Sequence, residues 1–241
     1  MKILNLILYS TNLPEYLEMY KILNKYLNSL PFIEHYFYMF DENQKEDFCL
    51  KKEENILSIR GQETFIPGIL EKTLLTFKYF RNTEFDYIVR SNISTIVNFK
   101  ALIDRLESEN LDYGGPLYYY GSFIDLKSGL TPEKNSQYGH IHFVSGICIV
   151  LSKKAIDILV NEMEKVLDYA IIDDVAIGIH LHNRNLIFKN IIALDDSVTY
   201  SFNATDYLPS IIAYRNYSGN PRYDDCSRMS FICDRIFSES N

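Results

Sequence analysis

Two periods alternate along the chain. Residues 3–9, Ile3-Leu4-Asn5-Leu6-Ile7-Leu8-Tyr9, form an almost unbroken apolar run of strand length. Pro14 then opens a helix to about residue 29, with Leu17, Tyr20, Leu23, Leu27 and Leu30 at helical spacing. Residues 35–40 read as an aromatic strand ending at Asp41, and residues 55–59 as a short strand stopped by Gly61. A helix over 65–80 carries Ile69, Leu70, Leu74 and Phe77 on one face. A short central strand at 86–90 precedes a helix at 98–108. The strand at 111–119 passes through Gly114-Gly115-Pro116, where the backbone must turn or approach something closely. Residues 121–140 hold Gly121, Gly129, Pro132 and Gly139 and read as a loop, long enough to be functional or disordered. Residues 141–151 read as one strong strand, and Ser152 caps a helix to about residue 168. A helix at 173–183 begins with two acids, a strand spans 187–194, and a helix at 224–237 closes the pattern.

Alternating strands and helices in the first half predict an α/β fold with a Rossmann-like, mostly parallel sheet. Such sheets bind ligands beyond the carboxyl ends of their strands. The strand ends to watch are Ser10-Thr11-Asn12, Asp41, Arg60-Gly61 and Arg90-Ser91-Asn92. The second half carries mixed strands and longer loops. No repeat, Ser/Gly linker or charge block divides the chain, so residues 1–241 are expected to form one domain.

Composition narrows the function. At 241 residues, with 47% hydrophobic and 23% charged, the chain can build a core without disulfide or metal staples. The 32 Asp and Glu outnumber the 24 Lys and Arg, for a net charge of −8. That charge disfavours general binding to a phosphate backbone, so no nucleic-acid partner is expected, but it leaves room for a local basic pocket holding one diphosphate. The 19 Tyr and 15 Phe, with no Trp, could include sugar- or base-stacking rings, but packing accounts for most of them. Cys49, Cys148, Cys226 and Cys233 show no metal-ligand spacing, and reduced thiols are expected. The apolar N-terminal run is too short for a signal peptide with a cleavage site, and no stretch is long enough to span a membrane. A soluble, intracellular protein is expected.

Three segments could carry chemistry, and each has a plain structural reading beside the functional one. In Asp86 to Thr95 an apolar strand ends in the polar cluster Arg90-Ser91-Asn92. These are ordinary strand-end turn residues, or an Arg placed to grip phosphate. Asp173-Asp174 at a helix start fits a cap and the helix dipole, or one cap and one general base. Gly146 of Val144-Ser145-Gly146-Ile147 marks a bulge or the close approach of a ligand. His140, His142, His180 and His182 lack the i, i+4 spacing of a helical zinc pair. GxSxG, P-loop and GxGxxG signatures are absent from the sequence.

In order, these segments resemble the β-1,3-galactosyltransferase and fringe superfamily of GT-A-fold glycosyltransferases, in a bacterial or large-virus form. The resemblance runs over roughly residues 60–195. It rests on Lys72-Thr73-Leu74-Leu75 through Tyr79-Phe80, then the strand to Asn92 and the helix after it. Gly114-Gly115-Pro116, Ser145-Gly146 through Ser152, and Asp173-Asp174-Val175-Ala176-Ile177-Gly178 follow in the family's order. The resemblance implies a GT-A fold whose central sheet is flanked by helices, with a smaller mixed sheet on the acceptor side. Residues up to about 110 would form the nucleotide-binding half and the remainder the acceptor half. The activity implied is sugar transfer from a nucleotide-diphosphate donor to a glycan or other hydroxyl acceptor, inverting, in the cytoplasm of a bacterium or an infected host cell. Asp174 takes the position of the general base, with Asp173 the second candidate. Ser10, Thr11, Asp41, Lys72, Arg90, Ser91, Asn92, Ser145 and Gly146 are expected around the donor, and Tyr118, Tyr119 and Tyr120 around the acceptor.

One departure bears on the cofactor. Where the family holds Mn²⁺ with Asp-x-Asp, this chain reads Arg90-Ser91-Asn92, and an Arg cannot ligate a metal. Either Arg90 and a second cation, Arg215 or Arg222, neutralise the leaving diphosphate without metal, or Asn92 and outside groups hold Mn²⁺ or Mg²⁺. The alternative is a non-catalytic nucleotide-sugar- or glycan-binding relative. A nucleotidyltransferase is a third reading, but it wants a Gly-rich loop where the chain has Ser10-Thr11-Asn12-Leu13-Pro14.

Overall fold

The apolar runs of the sequence become the strands of one large sheet. A computed structural model describes residues 1–119, 124–182, 184–192, 198–199, 210–217 and 222–240. In chain order the first half gives β1 (Ile3–Leu8), α1 (Pro14–Asn28), β2 (Ile33–Asp41), β3 (Phe48–Lys51), β4 (Ile56–Arg60), α2 (Gly68–Phe80), β5 (Tyr87–Asn92), β6 (Thr95–Val97) and α3 (Phe99–Ser108). The second half gives β7 (Tyr113–Tyr119), α4 (Pro132–Tyr138), β8 (His142–Val144), β9 (Cys148–Ser152), α5 (Lys153–Asn161), α6 (Met163–Leu167), α7 (Asp173–Leu181), β10 (Phe188–Ile192), β11 (Val198–Thr199), β12 (Ala213–Asn216) and α8 (Tyr223–Ser240).

Among the described residues the large sheet has nine strands, ordered β10-β7-β9-β5-β1-β2-β4-β3, with β8 paired to β7. Strands β5, β1, β2 and β4 run parallel, with α1 connecting β1 to β2, the edge strand β3 lying between β2 and β4 in the chain, and α2 connecting β4 to β5. Strand β9 is inserted antiparallel between β5 and β7. A second sheet, β11-β12-β6, stands beside the end of β5. The fold is α/β, with a mostly parallel central sheet flanked by helices and a smaller sheet on the second-half side, as the alternating periods predict.

Period-two alternation sends successive side chains to opposite cores. Ile3, Ile7, Phe37, Val89 and Val150 pack under α1, α3 and α8, against residues such as Leu23, Leu102 and Met229. Leu4, Leu6, Tyr38, Ile88 and Ile149 pack under α2, α5 and α7, against Leu74, Ile156 and Ile177. The long helix α8 closes the first face against α1.

Several elements differ from the sequence pattern. Residues 141–151 are two strands, β8 and β9, because the chain turns at 145–147, where the Cys148 N–H donates to Ser145 O at 3.3 Å. Both halves are buried, so the apolar run hides the break. Residues 121–140 are not wholly loop. From residue 124 they contain a 3₁₀ turn, Leu126–Ser128, and α4, which has Pro132 at its first turn and is capped by Thr131 Oγ1 accepting from Lys134 N at 3.3 Å. Helix α2 starts at Gly68 rather than 65, behind a cis Ile66–Pro67 bond. The helix expected to 168 breaks at Glu162 into α5 and α6, where the Glu162 carboxylate is held by both terminal nitrogens of Arg184. On α1 the buried stripe is Met19, Leu23, Tyr26 and Leu27, and Leu17 faces out. Edge strand β3 and short strands β6, β11 and β12 carry too few apolar positions to stand out in the sequence.

Gly115 has a positive φ of 148°, and a Cβ there would lie 2.2 Å from Cys148 O and 2.4 Å from Val144 Cγ1. Only glycine lets β7 pass this close to β8 and β9. Gly115→Ala is expected to destabilise the protein by about 2 kcal/mol or more. Urea unfolding measures this, and an unchanged midpoint would mean that β7 can slide away at no cost.

Candidate functional site

The carboxyl ends of β1 and β5 open into a cavity of about 460 Å³. Its walls bring together Ser10 after β1, Lys72 on α2, Arg90 and Asn92 on β5, Gly146 in the β8–β9 turn, and Asp173 and Asp174 opening α7. Arg215 on β12 and Arg222 before α8 complete the wall from the second half. Residues separated by up to about two hundred positions therefore meet where open α/β sheets hold ligands.

Arg90 is the centre of this site. It is 1% exposed on a central strand, a place where an unpaired charge would be prohibitive. Its Nη2 lies 2.5 Å from Asp173 Oδ2, and its Nη1 donates to Gly146 O at 2.6 Å and to Asn92 Oδ1 at 3.0 Å. Burial alone would lower its pKa, but Asp173, Tyr38 and Asp174 hold it above the ordinary value. The guanidinium is therefore a permanent, anchored cation.

Gly146 links that cation to the second acid. Its carbonyl accepts from Arg90, while its N–H donates to Asp174 Oδ2 at 2.9 Å. A Cβ on Gly146 would sit 2.8 Å from Arg90 Nη1 and 3.4 Å from Asp174 Oδ2, so a side chain here would press on the buried guanidinium. Asp174 Oδ1 accepts from Val175 N at 2.8 Å. Burial, then repulsion by Asp173, push the Asp174 pKa up to about 6, against the lowering effect of the Gly146 and Val175 N–H groups and Arg90. Neither acid is the N-cap of α7, which is Ile172 with no side-chain cap. Asp173 is the counter-ion of Arg90, and Asp174 is a carboxylate poised near neutrality.

The other cations are engaged in different ways. Lys72 is buried, and its Nζ donates to Tyr9 O at 3.1 Å and to the two Glu63 oxygens at 2.7 and 2.6 Å. Burial lowers its pKa, with Glu63 opposing. Arg222 Nε donates to Asp225 Oδ2 at 2.8 Å and its Nη2 to Asn216 O at 2.8 Å, and the guanidinium lies over the rings of Tyr16 and Tyr217. Arg215 is half-buried, and the β12–β6 register sets it opposite Thr95.

Four expected donor residues do not line the cavity. Ser91 is buried on the Val89 face of β5, one position out of register with Arg90. Asp41 closes a turn, its Oδ1 accepting from Asn43 N at 3.0 Å. Thr11 is exposed after β1, and Ser145 hydrogen-bonds through its N–H to Pro116 O at 2.8 Å. Backbone pairing sets Tyr118 opposite Phe143 and Tyr119 opposite His142. The side chains of Tyr118 and Tyr119, and the whole of Tyr120, lie outside the described residues.

Sequence reasoning missed Glu63, Tyr9, Tyr16 and Ser94 on the cavity wall. Only Ser94, two positions past Asn92 in the same polar cluster, carried a signal in the sequence. The residues present do not fit a divalent metal at the family's Asp-x-Asp position. Asn92 Oδ1 already accepts from Arg90, Ser91 faces the other side of the sheet, and no group of three His, Cys, Asp or Glu among the described residues could hold an ion. Among the described residues, no helix is long and apolar enough to cross a membrane.

No protein-family model and no curated protein sequence matches the chain. Solved structures do match. The inositol-1-phosphate CTP transferase of T. maritima superposes with a TM-score of 0.52 at 10% identity, covering 96% of each chain. The glycosyltransferase GlyE of Streptococcus pneumoniae TIGR4 superposes with a TM-score of 0.50 at 12% identity, over 100% of this chain and 64% of GlyE. A glucose-1-phosphate thymidylyltransferase of Bacillus anthracis is similar at a TM-score of 0.46 and 12% identity, over 78% of this chain and 86% of that one. What the chain shares with the first two is the fold, a GT-A-type, Rossmann-like arrangement of a mostly parallel sheet under helices.

The Arg90–Asp173 pair gives a stability test. Arg90→Met leaves a buried, uncompensated Asp173 and is expected to cost about 3–5 kcal/mol, whereas Arg90→Met with Asp173→Leu should recover most of that loss. A double-mutant cycle by urea unfolding measures the coupling, and additive losses would mean that the two residues do not act as a pair.

Proposed function

We propose that the chain is a glycosyltransferase that moves a sugar from a nucleotide-diphosphate donor to a glycan or other hydroxyl acceptor, inverting the anomeric centre. The observation that carries this reading is convergence. Lys72, Arg90, Asn92, Gly146, Asp173 and Asp174, quoted from separate motifs of the fringe-like order, line one cavity at the switch in the sheet. The glycosyltransferase GlyE, which shares the fold, supports the same direction.

In this reading Asp174 is the general base. It takes the proton of the acceptor hydroxyl as that oxygen attacks the anomeric carbon. The bond from that carbon to the diphosphate oxygen breaks in the same displacement, and the nucleotide diphosphate leaves carrying the extra negative charge. In this reading Asp173 serves as the counter-ion of Arg90 rather than as the base. Ser10, next to Tyr9 after β1, would meet the nucleoside in this reading. The first half of the chain would serve the donor and much of the second half the acceptor, with the Tyr118–Tyr120 run among the acceptor contacts.

Asp174→Asn is expected to lower turnover by roughly 10²–10⁴-fold with donor binding kept. The base must be deprotonated and its pKa is about 6, so kcat/KM should rise with pH to a plateau above about pH 6 and fall roughly tenfold per unit below it. Both are measured by release of nucleotide diphosphate from a panel of nucleotide sugars with a hydroxyl acceptor. Full activity in Asp174→Asn would remove the assignment. Donor binding without release would favour a non-catalytic relative, and release of pyrophosphate from a nucleoside triphosphate would point to nucleotidyl transfer.

A further inference from the structure

We infer that the base of the donor nucleotide stacks on Phe65, and that Lys72 and Glu63 serve binding by holding that ring in place rather than by touching the phosphates. The inference rests on the nucleotide-sugar reading above and names the residue that meets one end of the donor.

Phe65 lies between β4 and α2 on the wall of the cavity, and it is 49% exposed. A lone exposed ring on a convex surface is ordinary. This one faces a concave site, and the backbone that carries it is tied down on both sides. Glu63 Oε1 accepts from Phe40 N at the end of β2 at 3.0 Å. Both Glu63 oxygens accept from Lys72 Nζ, which also donates to Tyr9 O after β1. Thr64 Oγ1 accepts from Gly68 N at 3.1 Å, and Phe65 O accepts from Ile69 N at 3.4 Å. The segment is thus fastened to β2, to β1 through Lys72, and to α2. A ring held this way has little freedom left to lose when a ligand stacks on it. The buried Lys72, expected at the donor phosphates, spends its charge on this clasp.

Position along the sheet decides which end of a donor the ring meets. The strands lie in the order β9-β5-β1-β2-β4. Asp174 is bonded to Gly146 N, in the turn that enters β9, so a reacting sugar belongs on the β9–β5 side. Glu63 fixes the Phe65 segment at the end of β2, on the far side of β1. A nucleotide sugar with its anomeric carbon at Asp174 therefore carries its base toward Phe65. The β1–α1 connection adds Ser10, Asn12 and Leu13 to the wall there, and Thr64 stands beside the ring. A heteroaromatic base offers a π face to Phe65 and a polar edge to the hydroxyls and amide.

The sequence holds no Trp, so Phe65→Trp places a single indole at this position. Uridine, thymidine, cytidine, adenosine and guanosine are titrated into that variant, and each nucleoside and its 5′-diphosphate into wild type by calorimetry in Mn²⁺ buffer. The expected result is that one nucleoside and its diphosphate quench the indole saturably. Phe65→Ala should weaken both by the same factor, roughly tenfold, while Phe65→Tyr stays near wild type. Lys72→Met should weaken both a few-fold and add nothing to Phe65→Ala in the double variant, because it acts through the ring. Glu63→Gln should follow Lys72→Met in the same direction. Unliganded melting curves separate lost contacts from lost folding, and the half-exposed Phe65 can be replaced without opening the core. Diphosphate binding untouched by Phe65→Ala, with no quenching in Phe65→Trp, would overturn the inference and leave the transferase reading in place. Quenching by free sugars or glycans alone would give the ring to the acceptor and overturn it too. A loss confined to the diphosphate in Lys72→Met would return Lys72 to the phosphates and overturn its positioning role. A nucleoside stacked on the ring, with pyrophosphate rather than nucleotide diphosphate released in turnover, would keep the inference and overturn the transferase reading. No binding of any nucleoside or diphosphate would overturn both.

Discussion

A guanidinium buried at the end of a central strand imposes conditions on everything around it. Arg90 is desolvated, so its charge must be met at close range by a carboxylate. Asp173 meets the charge from the first turn of α7, where the helix dipole also favours an acid. Gly146 O and Asn92 Oδ1 take the Nη1 donor. These partners come from α7, the β8–β9 turn and β5 itself, so one ion pair ties together three elements that are not neighbours in the chain. The break between β8 and β9 follows from this constraint, because a strand continuing through 145–147 would carry Gly146 past the guanidinium instead of presenting its peptide to it.

The same pair gives two adjacent acids different fates. Asp173 is engaged as the counter-ion of Arg90, while Asp174 accepts from the Gly146 and Val175 N–H groups. Asp174 is raised by burial and by the Asp173 charge, so folding favours its protonated form. The sign follows directly. The group costs nothing below the ordinary carboxylate pKa, its cost grows as pH rises toward about 6, and it stays constant above. Near neutrality the protein therefore holds this carboxylate at some expense to its own stability, which is common at sites kept for chemistry rather than packing.

Much of the fold was legible because buried strands write themselves as apolar runs. Strands β1, β2, β4, β5 and β9 and helices α1, α3, α7 and α8 follow the hydrophobic period, and the parallel order follows from strand–helix alternation. What the period could not show were elements whose burial is shared or slight. Strand β3 is an edge, α4 buries no residue, and the turn at 145–147 sits between two runs that are each apolar. Thr131-Pro132-Glu133 carries a helix-start signature for α4, set between Gly129 and Gly139.

The site was legible by motif but not by wiring. Arg90, Asn92, Gly146 and the two acids stood out as polar or small residues breaking apolar segments. Which of them would be buried, and against what, depended on long-range partners that no local pattern encodes. Glu63 is nine positions before Lys72 in an irregular stretch, yet it takes two of that lysine's hydrogen bonds. Arg222 is separated from Tyr16 by most of the chain, yet the two are in contact. Residue type and strand-end position can nominate a cation for a ligand, but the carboxylate that reaches it first decides whether its charge is available. On this wall Glu63, Asp173 and Asp225 have claimed Lys72, Arg90 and Arg222. The state of these three cations is therefore set by ion pairs that no local pattern shows, even where, as with Asp173, the acid itself stood out in the sequence.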